Sequence, residues 1–245
     1  RSFIRIRLHF LLISGFVMKR GLTLVELMLS ITIASILILT LFSIYTLIAG
    51  TYRETRGGWY CMQSLRSSIL QIDSDLKQCA CLLPQDLRVV CRENALFISG
   101  IPVTSSHSGI GIHSKTPPPY FSTVQSLSGN VVTLDTADID FDGTADYWAD
   151  LGIITESGAY VIAHGYSRGS TAVPLTSIPS VYIRERVVPS VHYELKAGGL
   201  YRNNQLLAEA VCHFEARLEG DDVIVFVKAC YDGEEKSLSY TYCIQ

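Results

Sequence analysis

The stretch Lys19-Arg20-Gly21-Leu22-Thr23-Leu24-Val25-Glu26-Leu27 leads into 26 residues, Leu27 to Tyr52, without one charged side chain. As helix this run reaches about 39 Å at ~1.5 Å per residue, more than the ~30 Å hydrocarbon core of a bilayer requires. It therefore predicts a membrane-crossing helix. The apolar part of a secretory signal peptide is about 7–15 residues long, so a signal cleaved near Ala49 fits less well. Lys19 and Arg20, with Arg1, Arg5 and Arg7 upstream, hold the leading end in the cytoplasm by the positive-inside rule and put everything from Arg53 onward outside. Glu26 stands apart, because an ionisable side chain at the centre of a spanning helix costs roughly 2.5–3.5 kcal/mol. A plain anchor has no use for it. The acid predicts a functional role and calls for a cationic partner, such as an amine created by cleavage nearby.

The same string resembles the prepilin peptidase site of type IV pilins and type II secretion pseudopilins: a basic pair, Gly21, an apolar residue, Thr23, Glu26 and a long uncharged helix. The resemblance implies a cut on the cytoplasmic face between Gly21 and Leu22 and N-methylation of Leu22, with Glu26 as fifth residue of the mature chain and its role in assembly. Glycine suits such a site because a residue without a side chain lets an enzyme approach the backbone closely. Leucine stands where phenylalanine is commoner in the family. Residues 1–21 read as leader, of which 1–17 is expected to be a mis-called start before Met18, and residues 22–52 as the transmembrane helix.

Beyond the membrane, Met62, Leu65, Ile69, Ile72, Leu76, Cys79 and Leu83 recur at spacings of three and four. This predicts an amphipathic helix over 53–84, weakened toward a kink or hinge at Gly57-Gly58 and stopped by Pro84. From 85 to 245 the pattern is a β-rich head. Strands are expected at Leu87–Cys91, Ala95–Ser99, Val131–Leu134, Tyr160–His164, Val181–Val187, Val191–Leu195, Val211–Leu218, Val223–Tyr231 and Leu238–Tyr242. Gly198-Gly199, Asn203-Asn204, Gly220-Asp221 and Asp232-Gly233 mark hairpin turns, and the Ser/Gly/Pro-rich stretch Gly100–Asn130 reads as a long loop. The class is α+β, a long helix laid on an antiparallel sheet, which the family resemblance also implies. The segments Val191–Leu195, Gly199–Arg202, Leu206-Leu207 and Val211–Phe214 look like the C-terminal region of J-type pseudopilins and W-type minor pilins.

Composition excludes several alternatives. With 48% hydrophobic and 18% charged residues the 245-residue chain is too apolar for disorder. A net charge of −3 without clustered Lys and Arg beyond the N-terminus argues against nucleic acid. All seven cysteines follow the apolar run, as suits an oxidising compartment. With no CxxC among them, a zinc ribbon or redox site is not indicated.

Asp138, Asp140, Asp142, Thr144 and Asp146 occupy loop positions one, three, five, seven and nine, with Gly143 at six. That is the spacing of a calcium-wrapping loop. Ala149 at position twelve, where a bidentate acid belongs, rules out a regular EF-hand, so Ca2+ is the one expected cofactor and in a looser loop. Gly165-Tyr166-Ser167-Arg168-Gly169 matches G-x-S-x-G, but Pro174 and Pro179 follow where a nucleophile elbow needs a helix; a turn is the better reading, and His192 and His213 complete no triad. The expected protein is a minor pilin or pseudopilin in the inner membrane and not an enzyme. Its expected partners are a prepilin peptidase, other pilin or pseudopilin subunits, an inner-membrane assembly platform and membrane lipid. A membrane-anchored calcium-binding adhesin and a membrane-anchored serine hydrolase are the alternatives.

Overall fold

The computed structural model describes residues 23–79, 87–100, 121–139 and 143–243. They fall into two compact units divided between Thr51 and Tyr52. Helix α1 (Leu24–Lys77) is continuous over 54 residues. In the first unit its large apolar side chains, among them Leu37, Phe42 and Leu47, are exposed. The hydroxyls of Ser30, Thr32, Ser35, Thr40, Ser43 and Thr46 each donate to a carbonyl three or four residues back. Those bonds satisfy the polar atoms of an otherwise apolar helix, a requirement in lipid.

The second unit is a pilin-like α+β fold in which the amphipathic part of α1 packs against antiparallel sheets. The larger sheet has ten strands: β1 (Val89–Arg92), β2 (Ala95–Ser99), β3 (Ser122–Ser128), β4 (Val131–Leu134), β5 (Gly152–Thr155), β6 (Gly158–Val161), β7 (Ala172–Pro174), β8 (Arg186–Lys196), β9 (Gly199–Arg202) and β10 (Gln205–Glu209). The smaller sheet is a meander of β11 (Val211–Glu219), β12 (Asp222–Tyr231) and β13 (Glu234–Cys243). The disulfide Cys212–Cys230 joins β11 to β12. The four expected hairpin turns are present, with Asn203, Asn204 and Asp232 at positive φ, the backbone that tight hairpins demand.

Strand β8 is the trunk. Its first half pairs with β3 on one side and β5 on the other, its second half with β2 and β9. Both its faces are buried, and its two halves serve two cores. In the second half Val191 and Tyr193 join Leu96, Ile98 and Leu200, the α1 stripe of Cys61, Leu65, Ile69, Ile72 and Leu76, and the inner side of β11 and β12. In the first half Val187 and Val188 join Phe97, Ile153, Ile154, Val173 and Tyr147 in an outer core.

The structure departs from the sequence expectation in several places. Val181–Val187 and Val191–Leu195 are not two strands: only Arg186 and Val187 of the first belong to β8, which runs on through Pro189. A proline inside a central strand normally loses a ladder bond. Here the Pro189 carbonyl accepts from Gly100 N (3.1 Å) just beyond β2, so its donor-less nitrogen faces the gap between β2 and β3. The stretch Gly100–Asn130 is not loop throughout, because its second half forms β3. That strand has few apolar residues, and buried Ser122 is satisfied instead by donating to Thr136 O (2.7 Å) and accepting from Tyr147 Oη (2.9 Å). Strands β5 and β7 are absent from the sequence expectation, and β9 and β10 are marked there only by their hairpin turns; each has five residues or fewer. Finally, α1 does not break at Gly57-Gly58. Gly57 is buried, and a Cβ there would lie 3.1 Å from Glu234 Cγ and 3.3 Å from Tyr231 O; the missing side chain allows close approach of the β12–β13 turn. Leu83 and Pro84 lie outside the described residues.

One polar group interrupts the helix-side core. Asp75, 6% exposed, accepts two bonds from Arg202, Nε to Oδ2 at 2.7 Å and Nη2 to Oδ1 at 3.0 Å. It also accepts from Tyr193 Oη and from Gln71 Nε2 (3.2 Å). Burial, followed by the adjacent carboxylate, raises the Tyr193 pKa, which keeps the phenol a donor. Removing one partner of such a pair leaves a buried charge uncompensated. Asp75→Ala is expected to cost about 3–5 kcal/mol of stability in urea unfolding of the full chain, and the double variant with Arg202→Met to cost less than the sum of the singles.

A second expectation concerns pH. His192, 2% exposed and stacked on Phe97 with centroids 5.7 Å apart, has no partner for Nδ1 among the described residues. Burial pushes its pKa down to about 4. The folded protein then holds this proton less tightly than the unfolded chain, whose histidines titrate near ~6.5. Stability due to this site is intact above that value and falls as pH drops toward 4, by up to about 3 kcal/mol. Against wild type, His192→Phe should flatten the decline of the urea midpoint between pH 7 and pH 4.

Candidate functional site

The segment singled out by sequence begins where the described residues begin. Gly21 and Leu22 lie outside them; Thr23 and Glu26 lie within. Thr23 is the N-cap of α1 and Glu26 its third helical residue. Glu26 Oε2 accepts from Thr23 N (2.9 Å) and Thr23 Oγ1 (2.9 Å), while Glu26 N donates back to Thr23 Oγ1 (3.3 Å). This is a reciprocal capping box, which satisfies donors that a helix start leaves unpaired. The expectation that a plain anchor has no use for Glu26 is thereby corrected: the acid closes the first turn and sits at the positive end of the helix dipole. The signal was present as Thr23-x-x-Glu26 ahead of an apolar run. Both Thr23 bonds fall on Oε2, and Oε1 has no hydrogen-bond partner among the described residues.

From Leu24 onward the helix is long and apolar enough to cross a membrane. Residues 17–42 match the prokaryotic N-terminal methylation motif. This is the motif of the type IV pilin and pseudopilin class. The match covers Gly21, Leu22, Glu26 and the first part of the apolar run, so the segment that resembled a prepilin site and the segment with the capped helix start coincide. No curated protein and no solved structure matches the chain.

The acidic loop lies between β4 and β5. Gly143 has φ +86° and donates its N–H to Asp138 Oδ2 (2.9 Å), closing the turn that position six of a calcium loop requires. Asp138 Oδ1 is buried without a hydrogen-bond partner among the described residues. Asp146, 3% exposed, accepts from Ile139 N through Oδ2 (2.7 Å) and donates its own N–H to Ala137 O (2.8 Å), which clamps the two ends of the loop together. Thr144 is half-buried. Asp140 and Asp142 lie outside the described residues, and among the described ones no three His, Cys, Asp or Glu stand together to hold a metal.

The remaining reactive side chains are dispersed. Gly165 and Gly169 bracket exposed turns with φ +91° and +86°, and strand β7 rather than a helix follows Ser167. His164 pairs with Asp150 (3.1 Å), His192 is buried in β8, and His213 lies edge-on to Phe226, 5.5 Å away. Cys61, Cys91 and Cys243 are free thiols. Cys79 Sγ is 3.2 Å from Ser99 Oγ in the helix-side core.

Proposed function

We propose that this chain is a structural subunit of a filament of the type IV pilin class, a minor pilin or pseudopilin. A prepilin peptidase cuts between Gly21 and Leu22 on the cytoplasmic face and methylates Leu22. The apolar part of α1 holds the subunit in the inner membrane lipid, with the head outside, until the assembly platform passes it to neighbouring subunits near the filament tip. The observation that carries this reading is the coincidence of the methylation motif over residues 17–42 with the capped start of an apolar helix that ends in a β-rich head. Oε1 of Glu26, without a hydrogen-bond partner among the described residues, supports the assembly role: the carboxylate caps its own helix through one oxygen and offers the other to the amine of Leu22, in the same or a neighbouring subunit. The minor role rests on the likeness of Val191–Leu195, Gly199–Arg202, Leu206-Leu207 and Val211–Phe214 to J-type and W-type subunits.

Co-expression with a prepilin peptidase is expected to yield a chain beginning at Leu22 and carrying one added methyl group by mass spectrometry, and Gly21→Phe to block it. A wild-type chain left uncut would end the proposal. Glu26→Ala should leave cleavage largely intact and reduce incorporation into filaments.

We further propose calcium as a ligand of the loop from Asp138 to Asp146, supported by the Gly143 turn and by Asp138 Oδ1, buried without a hydrogen-bond partner among the described residues. Four carboxylates within nine residues repel one another without a cation. Millimolar calcium should raise the thermal midpoint by mass action, and Asp140→Ala with Asp142→Ala should remove the increase. Identical melting in calcium and in chelator would reject the site without touching the filament reading.

A further inference from the structure

Helix α1 leaves its uncharged run at Tyr52 and continues as Tyr52-Arg53-Glu54-Thr55-Arg56-Gly57-Gly58-Trp59. One side of this segment belongs to the head. Gly57 is buried against Glu234 and Tyr231, Tyr60 stacks on Tyr231 with centroids 4.6 Å apart and donates to Glu209 (2.7 Å), and Cys61 is fully buried. The other side is bare. Tyr52 and Trp59 are each 65% exposed, and two turns of helix bring them onto one face. Arg56 lies between them on that face, with Arg53 one turn before it. Both arginines are exposed, and neither has a carboxylate partner among the described residues. Glu54, the one acid in the segment, lies about half a turn around the helix from Arg56.

These arginines oppose the orientation of the chain. Cations within about 15–20 residues of a span count toward its cytoplasmic side, yet Arg53, Arg56 and Arg66 all follow the uncharged run on the side that lies outside. Charges that weaken the topology and pair with no acid call for another partner. Direction identifies it. In an α-helix the Cα–Cβ bonds tilt toward the N-terminus, here toward the membrane, so Arg53, Arg56 and Trp59 reach back over the turn that precedes them. The run, about 39 Å of helix, exceeds the ~30 Å hydrocarbon core and tilts to fit, which draws the next turn toward the headgroup layer. Tyrosine, tryptophan and arginine are the side chains that layer favours, each with an apolar body and a polar tip.

We propose that Tyr52, Arg53, Arg56 and Trp59 form a collar that binds anionic phospholipid headgroups in the outer leaflet of the bilayer that α1 spans. The two guanidinium groups take the phosphates, whose oxygens match their planar fork, while the rings of Tyr52 and Trp59 sit where headgroup meets acyl chain. Two features argue for lipid as the occupant: the uncompensated positive charge, and the continuity of this face along α1 with the apolar run. An anionic headgroup is preferred because a zwitterionic one already neutralises its phosphate with its own amine. The collar rests on the reading of α1 as membrane-spanning, and it adds to the filament reading a lipid contact that assembly has to break.

The test uses the full chain in phospholipid nanodiscs with Trp148→Phe, which leaves Trp59 as the only tryptophan. Its emission is quenched with brominated phosphatidylglycerol in phosphatidylcholine, and with brominated phosphatidylcholine in phosphatidylglycerol. The relative association constant of the two lipids, taken from the two quenching curves, should favour phosphatidylglycerol by at least about fivefold, the gain that one arginine near an anionic surface supplies. Arg53→Gln with Arg56→Gln should bring the ratio to near one. Arg66→Gln, on the same face but about 21 Å beyond Tyr52 at ~1.5 Å per residue, should leave it unchanged. The proposal is overturned by a wild-type ratio near one, by the absence of quenching with either lipid, as a face reserved for a protein would show, or by an equal loss with Arg66→Gln. Quenching does not depend on cleavage after Gly21. A chain with the preference that is never cut keeps the collar and loses the filament reading, and a chain that is cut without the preference loses only the collar.

Discussion

A single buried carboxylate constrains the head more than any other group. An apolar stripe alone would let α1 slide or roll on the sheet, because Leu65, Ile69, Ile72 and Leu76 are nearly interchangeable along the helix. Asp75 removes that freedom. Its charge is tolerable only where Arg202 and Tyr193 meet it, and those two residues are cross-strand partners in the β8–β9 ladder. A slip of one residue between β8 and β9 would break this pairing and turn side chains to the wrong face. The helix position and the strand register are therefore fixed by the same hydrogen bonds. Such a group contributes less to net stability than to the choice of one arrangement among several of similar burial.

The second constraint is two-sided burial of β8. Val191 and Tyr193 face the helix while Val187, Val188 and His192 belong with the outer layer. A strand covered on both faces reads as continuous apolar sequence rather than alternation, and β8 reads Val-Val-Pro-Ser-Val-His-Tyr. Pro189 is accommodated where the strand changes neighbours, so the residue that looks like a terminator marks the crossing between the two cores.

Much of this was legible in the sequence. The uncharged run, the stripe on α1 and the meander of β11 to β13 could be read from period and turn chemistry, because each is local. The outer layer was less legible: β3 buries serine through hydroxyl bonds to distant residues, and β5 and β7 are too short to show a period. The Asp75 clamp joins positions more than a hundred residues apart, and a lone acid beside an apolar stripe looks like a surface charge until its partners are known. At the N-terminal site one acid belongs to two patterns at once, the motif around Gly21 and the capping box Thr23-x-x-Glu26, and both are local enough to be legible in sequence.

The distance along the chain between the helix stripe and its cover has a consequence for the order of events as the protein is made. Tyr193 and Asp75 are separated by 118 positions, and the surfaces that shield Cys61 to Leu76 come from β2, β8, β9, β11 and β12. The whole outer layer, β3 to β7, is synthesised between the first of these strands and the rest. Nascent chain emerging amino end first would therefore hold a naked amphipathic helix through most of translation, at ~5–20 residues per second, before its cover arrives. That interval is long against the microseconds of collapse, so the stripe needs a temporary host, a role that a chaperone groove or the bilayer surface itself can fill.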